Sequence, residues 1–210
     1  KQIHGSPQKL SRNIDLWELW TSPNLLLSQT CSTPYREALF KNTIYVGTPD
    51  YKLPNCPPGY YNSIIIGQSG LSFSQLKTGN FGYNDKFSNS GWNAPINHFQ
   101  KLDIFPKSTT RTGSHRSSAK AVADGRIDFA AIDAQSWRLI QKYDKFVNKI
   151  KVFDQTEPTP GLPFITSMLG LKDELFCAIK KAIQILSDQD RSLLYLKDLI
   201  KLNEEKYIKI

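Results

Sequence analysis

The stretch TRTGSHRSSAKAVADGRIDFAAIDAQSW, residues 110–137, decides how the chain folds. It passes from a small polar loop into a helix pattern and then into an apolar strand pattern that ends at Asp133. Ala119, Val122 and Ala123 share one helix face, and Gly125 suits the left-handed conformation that ends many helices. The stretch therefore predicts a helix over 117–124, a strand over 127–132 and a second helix over 134–146.

The same alternation of short apolar strands and helices recurs along the chain. Several strand patterns are rich in β-branched residues and are bounded by Gly and Pro. Alternating units of this kind predict an α/β fold with parallel-type sheets and helices on both faces. The other predicted strands cover 25–27, 43–46, 63–66, 81–83 and 150–153, and the other helices cover 34–40, 91–99, 171–187 and 189–206.

Length and composition indicate a globular protein. The 210 residues suffice for one large domain or two small lobes, and 40% of them are hydrophobic and 11% aromatic. No run approaches the roughly 18 apolar residues that a membrane span needs. The N-terminal KQIHGSPQKL lacks the apolar core of a signal peptide, which leaves an exported, a trimmed and a cytosolic protein all open.

Positive charge is concentrated in the middle of the chain. Residues 77–151 hold 13 Lys and Arg against 6 Asp and Glu, so most of the net charge of +8 lies there. This segment favours an anionic partner, either nucleic acid, an acidic surface or a small anion, with a solvated basic surface as the alternative. No nucleic-acid-binding motif accompanies the charge, so we expect no nucleic-acid partner.

Two hydroxyl-rich loops each lie between a predicted strand and a predicted helix. In α/β sheets ligands bind beyond the carboxyl ends of strands, where helix-start amides can hold an anion. The first loop is SNSG (Ser88, Ser90 and Gly91), and the second is TGSHRSS, with Thr112, Gly113, Ser114, His115 and Ser117. The loop at 28–30 and Asp133 belong to the same predicted edge. The alternative is that these serines and Asp133 only cap helices.

Motifs for catalysis, cofactors and metals are missing from the sequence. Ser114 and His115 are neighbours, but a catalytic triad needs side chains that converge in space. No GxSxG, Walker loop, GxGxxG or HExxH is present, so we expect no cofactor, no metal and no enzyme. An enzyme with a nucleophile at Cys31 or Ser114 is the least favoured hypothesis.

Cys31 and Cys56 both lie in turn-rich loops, whereas Cys177 falls in an apolar helix pattern. In an exported protein Cys31 and Cys56 would form a disulfide. Two buried thiols are the alternative.

Five blocks follow one another in an order and spacing that resemble a known family. The chain is similar to the phosphate/phosphonate-binding, transferrin-like solute-binding proteins of ABC transporters, which have the type II periplasmic-binding fold. It departs from them at Ser32, where the family usually has Gly, and we expect the first lobe to lack the strand and helix with which members usually begin. The blocks are SQTCSTPYREAL (28–39), GTPDYKLPNCPPGYYNSIII (47–66), YNDKFSNSGWNA (83–94), TGSHRSSAKAVADGRIDFAAIDAQSW (112–137) and QTEPTPGLPFITS (155–167).

The resemblance implies two lobes joined by two crossover strands, with residues 1–73 and 158–210 in lobe one and 74–157 in lobe two. It implies a monomeric, periplasmic or cell-surface protein that closes on a small oxyanion-bearing solute and delivers it to an ABC transporter permease. The alternatives are a sensory domain of the same fold and a cytoplasmic location. Ligand contacts would come from Ser28, Gln29, Thr30, Tyr35 and Tyr61 of lobe one, and from Ser88, Ser90, Thr112, Ser114, His115 and Asp133 of lobe two.

Overall fold

The computed structural model describes residues 7–208, which form two compact units. Unit 1 combines the chain up to Tyr60 with the chain from Pro160 onward. Unit 2 is the single stretch Tyr61–Thr159. The two short strands at this boundary, β3 (Tyr60–Tyr61) and β9 (Thr159–Pro160), pair with each other.

Unit 1 contains a four-stranded sheet in the order β1-β10-β2-β11 in which every neighbouring pair is antiparallel. Its core is rich in aromatic side chains, and the rings of Tyr35 and Tyr45 both pack against Tyr207. The strands are β1 (Ser28–Gln29), β2 (Ile44–Asp50), β10 (Phe164–Thr166) and β11 (Asp198–Ile200). The helices are α1 (Leu16–Trp20), α2 (Ser32–Pro34, continued by a π-helical turn over Tyr35–Leu39), α7 (Lys172–Gln184, after a 3-10 turn over Leu169–Leu171), α8 (Asp188–Leu194) and α9 (Glu205–Ile208).

Three predictions in unit 1 are wrong. A parallel-type sheet was expected, but this sheet is antiparallel, because β10 and β11 come late in the chain and pair with β1 and β2 in the opposite direction. The strand expected over 25–27 forms only at Ser28–Gln29, because Ser28 and Gln29 are the residues that pair with β10. The helix expected over 189–206 ends at Leu194, and Tyr195 adopts a left-handed φ of 53°. The chain then becomes extended, since β11 pairs with β2 along its whole length.

Unit 2 is built on one five-stranded sheet in the order β6-β5-β7-β4-β8. β5 runs parallel to both β6 and β7, whereas β4 is antiparallel to β7 and β8, so the sheet is mixed. The strands are β4 (Ser63–Gln68), β5 (Asn80–Tyr83), β6 (Ser108–Arg111), β7 (Phe129–Asp133) and β8 (Ile150–Gln155). The helices are α3 (Phe73–Leu76), α4 (Ala94–Lys101, preceded by a π-helical turn over Asn89–Asn93), α5 (His115–Ala123), α6 (Ala134–Tyr143) and a 3-10 turn over Lys145–Lys149.

Helices cover both faces of this sheet, as the alternating pattern predicted. Successive strand residues point to opposite faces, so Ile66 packs with α5 and α6 whereas Ile65 packs with Phe81 and Phe99. An apolar layer therefore covers each face of the sheet, and the two layers hold the edge of the sheet in place.

The chain enters unit 2 at Tyr61, earlier than the boundary expected at residue 73. β4 causes the difference, because it pairs with β7 from Ser63 to Gly67 and with β8 from Ile64 to Gln68. A strand with partners on both sides belongs to the unit that contains those partners. The chain returns to unit 1 at Pro160, and the lobe boundaries expected at residues 73 and 158 stay predictions.

Within residues 7–208, no helix has both the length and the apolar character required to cross a bilayer.

Candidate functional site

The carboxyl ends of β5, β6 and β7 lie at the same edge of the unit 2 sheet because these strands are parallel. A loop follows β5 and another follows β6, and each leads into a helix. β7 ends at Asp133, directly before α6. The capping residues of these three helices are Ser88, Ser114 and Asp133. The structure thus brings both hydroxyl-rich loops and Asp133 to one edge.

The first loop, Ser88–Gly91, is buried. The Ser88 Oγ accepts a hydrogen bond from the Gly91 amide at 3.0 Å. Ser90 is only 4% exposed although it is polar. Gly91 has no room for a side chain, because a Cβ there would lie 1.7 Å from the Asn84 Oδ1.

The second loop, residues 112–117, makes a tight turn into α5. Its Thr112 Oγ1 donates to the Tyr83 carbonyl oxygen at 3.0 Å and lies 2.5 Å from the Ser118 Oγ. Gly113 has a φ of +87°, a conformation that glycine adopts without strain. The Ser114 Oγ then accepts from the Ser117 amide at 3.0 Å.

Two hydrogen bonds join the loops. The Gly113 amide donates to the Asn84 carbonyl oxygen over 3.2 Å. The Ser90 Oγ lies 3.0 Å from the His115 Nε2. Because these contacts link residues 25 to 29 positions apart, the two loops form one surface. We call it the oxyanion edge, after the kind of ligand that the sequence predicts for these loops.

His115 connects this edge to the end of β7. Its Nδ1 faces the Asp133 amide nitrogen at 3.5 Å. Burial lowers the pKa of His115, and this effect outweighs the opposing influence of the Asp133 carboxylate and the Ala131 carbonyl. The imidazole is therefore neutral near pH 7, with one ring nitrogen as donor and one as acceptor.

Asp133 is 8% exposed, and its Oδ1 accepts from the Ser136 amide at 2.7 Å. Asp133 thus caps α6, which is the role that the sequence left open as the alternative to ligand binding. Ser88 and Ser114 also cap helices. A hydroxyl that accepts a capping bond keeps its own proton, so capping and ligand binding are compatible at Ser88. The Ser114 Oγ donates its proton to the Ser117 Oγ at 2.8 Å.

Ser90 differs from the other serines. It lies inside the π-helical turn, and its hydroxyl contacts an imidazole instead of a helix amide. Its burial therefore does not follow from helix capping.

The predicted ligand residues of the first lobe are spread over both units. Gln29 donates through Nε2 to the Leu162 carbonyl oxygen at 3.1 Å, and Thr30 is buried, with its amide bonded to the Pro163 carbonyl oxygen. Tyr35 lies in the unit 1 core, where its hydroxyl donates to the Glu204 carboxylate at 3.3 Å. Burial, reinforced by Glu204, raises the pKa of Tyr35, so this hydroxyl stays protonated.

Tyr61 belongs to unit 2, and its hydroxyl accepts from the Asn89 Nδ2 at 3.1 Å. The ligand roles of Gln29, Thr30, Tyr35 and Tyr61 stay predictions.

Cys31 and Cys56 are half-buried residues of unit 1. Cys31 directly precedes α2, and Cys56 lies in the loop between β2 and β3. Their disulfide stays a prediction.

Two asparagines at the oxyanion edge were missed by the sequence analysis. Asn84 contacts Gly91, and Asn89 is 1% exposed between the two serines of SNSG. The sequence signal for Asn89 is its position inside the SNSG motif.

The chemistry of the edge suits anion binding better than nucleophilic catalysis. Ser90 and His115 are within hydrogen-bond distance, but the Asp133 Oδ1 caps α6, and it is the Asp133 main-chain amide that lies near the His115 Nδ1. A catalytic serine needs a histidine whose Nδ1–H donates to a carboxylate, and the main-chain amide at this position is a donor instead. Among residues 7–208, no cluster of three or more His, Cys, Asp or Glu side chains could hold a metal ion.

Comparisons with known proteins relate the chain to a transport family. The family described as "ABC transporter, phosphonate, periplasmic substrate-binding protein" matches residues 41–205. No curated protein sequence matches the chain. The structure of PhnD1 from Prochlorococcus marinus in complex with methylphosphonate is similar with a TM-score of 0.72 and 18% identity, over 87% of this chain and 75% of that one.

Two further structures share the fold. A binding protein component of an ABC phosphonate transporter from Pseudomonas aeruginosa matches with a TM-score of 0.64 and 19% identity, over 86% of this chain and 65% of its own. A protein from Xanthomonas citri bound to a chloride ion matches with a TM-score of 0.62 and 13% identity, over 86% of this chain and 72% of its own.

Proposed function

The chain belongs to the family of periplasmic substrate-binding proteins of phosphonate ABC transporters, and on that premise we propose that its oxyanion edge binds a phosphonate- or phosphate-like solute. The type II periplasmic-binding fold expected from the sequence is the fold it shares with its structural relatives. The proposed ligand contacts are those that the loops of unit 2 supply.

The observation that carries the proposal is the pair of joined loops. Buried Ser90 contacts His115 at 3.0 Å, and the Gly113 amide is bonded to the Asn84 carbonyl oxygen at 3.2 Å, so the two hydroxyl-rich loops lie side by side at one edge. Hydrogen bonds to a charged group contribute about 1.5–3 kcal/mol each. Four or five of them support micromolar or tighter binding after the costs of association.

Helix dipoles supply the charge complementarity. α5, α6 and the helix that begins at Asn89 present their N-termini to the edge, where unpaired amides carry partial positive charge. Ser88 and Ser90 add hydroxyl donors, and neutral His115 adds one more donor or acceptor. A dehydrated anion is thus held by dipoles and not by a lysine or arginine clamp.

The Asp133 carboxylate restricts the ligand. A carboxylate repels a fully ionised oxyanion, so it favours a ligand that offers a donor, either a protonated oxygen or an amine. Monoprotonated phosphonates, hydrogen phosphate and amino-substituted phosphonates meet this requirement, whereas sulfate has no proton to donate near pH 7. We therefore expect sulfate to bind more weakly than methylphosphonate.

The biological role follows from family membership. We propose that the protein is exported, is monomeric and is not an enzyme, and that it delivers its solute to an ABC transporter permease. The family match supports this role, and the oxyanion edge supports binding without catalysis.

Isothermal titration calorimetry with methylphosphonate, inorganic phosphate and sulfate tests the proposal. Ser90→Ala removes a buried hydroxyl that caps no helix, and we expect at least tenfold weaker methylphosphonate binding, about 1.4 kcal/mol, with little change in melting temperature. Ser69→Ala is the matched control, because Ser69 is exposed beyond the opposite end of β4. It should change neither quantity.

Ser114→Ala separates the two roles of a serine at this edge. Ser114 caps α5, so its loss should cost about 0.5–2 kcal/mol of stability in addition to affinity. We therefore expect Ser114→Ala to lower both stability and affinity. Wild-type protein that binds neither methylphosphonate nor phosphate would overturn the ligand class, and a Ser90→Ala variant with wild-type affinity would overturn the site.

A further inference from the structure

The buried Asn89 amide connects the oxyanion edge to both ends of unit 2. Its Nδ2 donates to the Tyr61 hydroxyl at 3.1 Å and to the Thr159 Oγ1 at 3.0 Å. An amide nitrogen carries two protons, so these two acceptors use both of them. Asn89 is 1% exposed, and a bond lost there would not be replaced by bulk water.

The two acceptors occupy special positions in the chain. Tyr61 is the first residue of unit 2 and belongs to β3, and Thr159 is its last residue and belongs to β9. One side chain therefore holds together the two ends of a 99-residue stretch.

The neighbours of Asn89 are the donors assigned to the ligand. Ser88 precedes it and is bonded to the Gly91 amide, and Ser90 follows it and contacts His115. Because Asn89 lies between them in one helical turn, a movement of its side chain shifts both hydroxyls. The turn is a π-helix, a wider turn that is frequent at functional sites.

We propose that Asn89 is a positioning residue, which fixes the Ser88–Gly91 loop to the entry and exit strands of unit 2 and so sets the affinity of the oxyanion edge. This inference rests on the proposed function for its ligand. Asn89 itself uses its amide protons on Tyr61 and Thr159 and acts on the ligand through Ser88 and Ser90.

Thr159 offers the sharpest test, because it lies outside the loop and was not assigned to the ligand. Thr159→Val removes the Oγ1 acceptor at nearly constant shape, Thr159→Ser keeps it, and Asn89→Ala removes both bonds. We expect about fivefold weaker methylphosphonate binding for Thr159→Val, at least tenfold weaker binding for Asn89→Ala, and restored affinity for Thr159→Ser.

A second measurement needs no ligand. NMR titration of the His115 ring in the ligand-free protein reports whether Ser90 still covers it. If Asn89 positions Ser90, the pKa of His115 should rise toward its ordinary value in Asn89→Ala and Thr159→Val, but not in Thr159→Ser. A merely structural role would lower the melting temperature and leave affinity and titration unchanged.

The outcomes separate this inference from the proposed function. If the wild type binds methylphosphonate and both Asn89→Ala and Thr159→Val keep its affinity and its His115 titration, the positioning role is refuted. If the wild type binds neither methylphosphonate nor inorganic phosphate, the proposed function fails, and the His115 titration alone decides whether Asn89 positions the loop.

Discussion

Replacement of Gly91 by alanine tests the oxyanion edge most directly. The new Cβ would lie 1.7 Å from the Asn84 Oδ1 and 2.8 Å from its Cγ, whereas ordinary contact begins at 3.4 Å. Either the Asn84 amide or the Gly91 backbone must therefore move by about 1.7 Å. The Asn84 main-chain carbonyl accepts from the Gly113 amide, so a shift that includes the Asn84 backbone also reaches the second loop.

The size of the effect follows from this overlap. Overpacking of a buried site costs about 1–3 kcal/mol, which corresponds to a fall in melting temperature of about 2–12 °C for a protein of this length. Because the Gly91 amide and the Ser88 hydroxyl form the loop itself, we also expect at least tenfold weaker methylphosphonate binding. Calorimetric melting and titration measure the two effects on the same samples.

A compensating change and a control make the test specific. Asn84→Ala removes the obstructing amide, so the double variant Asn84→Ala/Gly91→Ala should recover most of the stability lost in Gly91→Ala. Gly70→Ala is the control, since a Cβ at Gly70 meets no atom within 4 Å. If Gly91→Ala melts and binds like the wild type, or if the double variant is no more stable than the single one, the steric reasoning is refuted.

Two further predictions concern pH and the cysteines. Burial lowers the folded-state pKa of His115, so the unfolded chain takes up a proton first, and stability should fall as pH drops below about 6.5. His115→Gln should flatten that part of the pH–stability curve, and an unchanged curve would contradict the assignment. Protein recovered from an oxidising compartment should yield a peptide pair joined through Cys31 and Cys56. Mass spectrometry that finds both as thiols would remove the disulfide.

Local patterns predicted the parts of the fold that depend on neighbouring residues. The helix after Ser114 and the left-handed Gly125 that follows α5 were predicted from helix periodicity and glycine chemistry. The convergence of the two loops was also predictable, because strands that alternate with helices tend to be parallel. These features need only short-range information.

The pairing of distant strands could not be predicted in this way. β11 looks like part of a helix in the sequence, and it is extended because it pairs with β2, about 150 residues away. Nothing local shows that β4 pairs with β7 and β8 either, so its place in unit 2 is visible only in the structure.

At the candidate site, too, the residue types could be predicted from local sequence, whereas the contacts between distant residues could not. The sequence singled out Ser90 and His115 separately, but their 3.0 Å contact spans 25 positions. Asn89 was passed over because its partners, Tyr61 and Thr159, are 28 and 70 positions away. Hydroxyl-rich loops can be read from sequence, whereas the residues that fix those loops require the structure.

The interrupted sequence of unit 1 has a consequence for the order of folding. Unit 2 is continuous, so every strand of its sheet has left the ribosome or the export channel once Gln155 has emerged. The unit 1 sheet must wait, since β10 separates β1 from β2 and β11 completes its other side. Tyr207, fully buried against Thr48 and Gly161, emerges after both of them. Domains generally fold as units during synthesis. We therefore expect β1 and β2 to wait for their partners β10 and β11 while unit 2 is already complete, and in that interval this part of unit 1 is open to proteases.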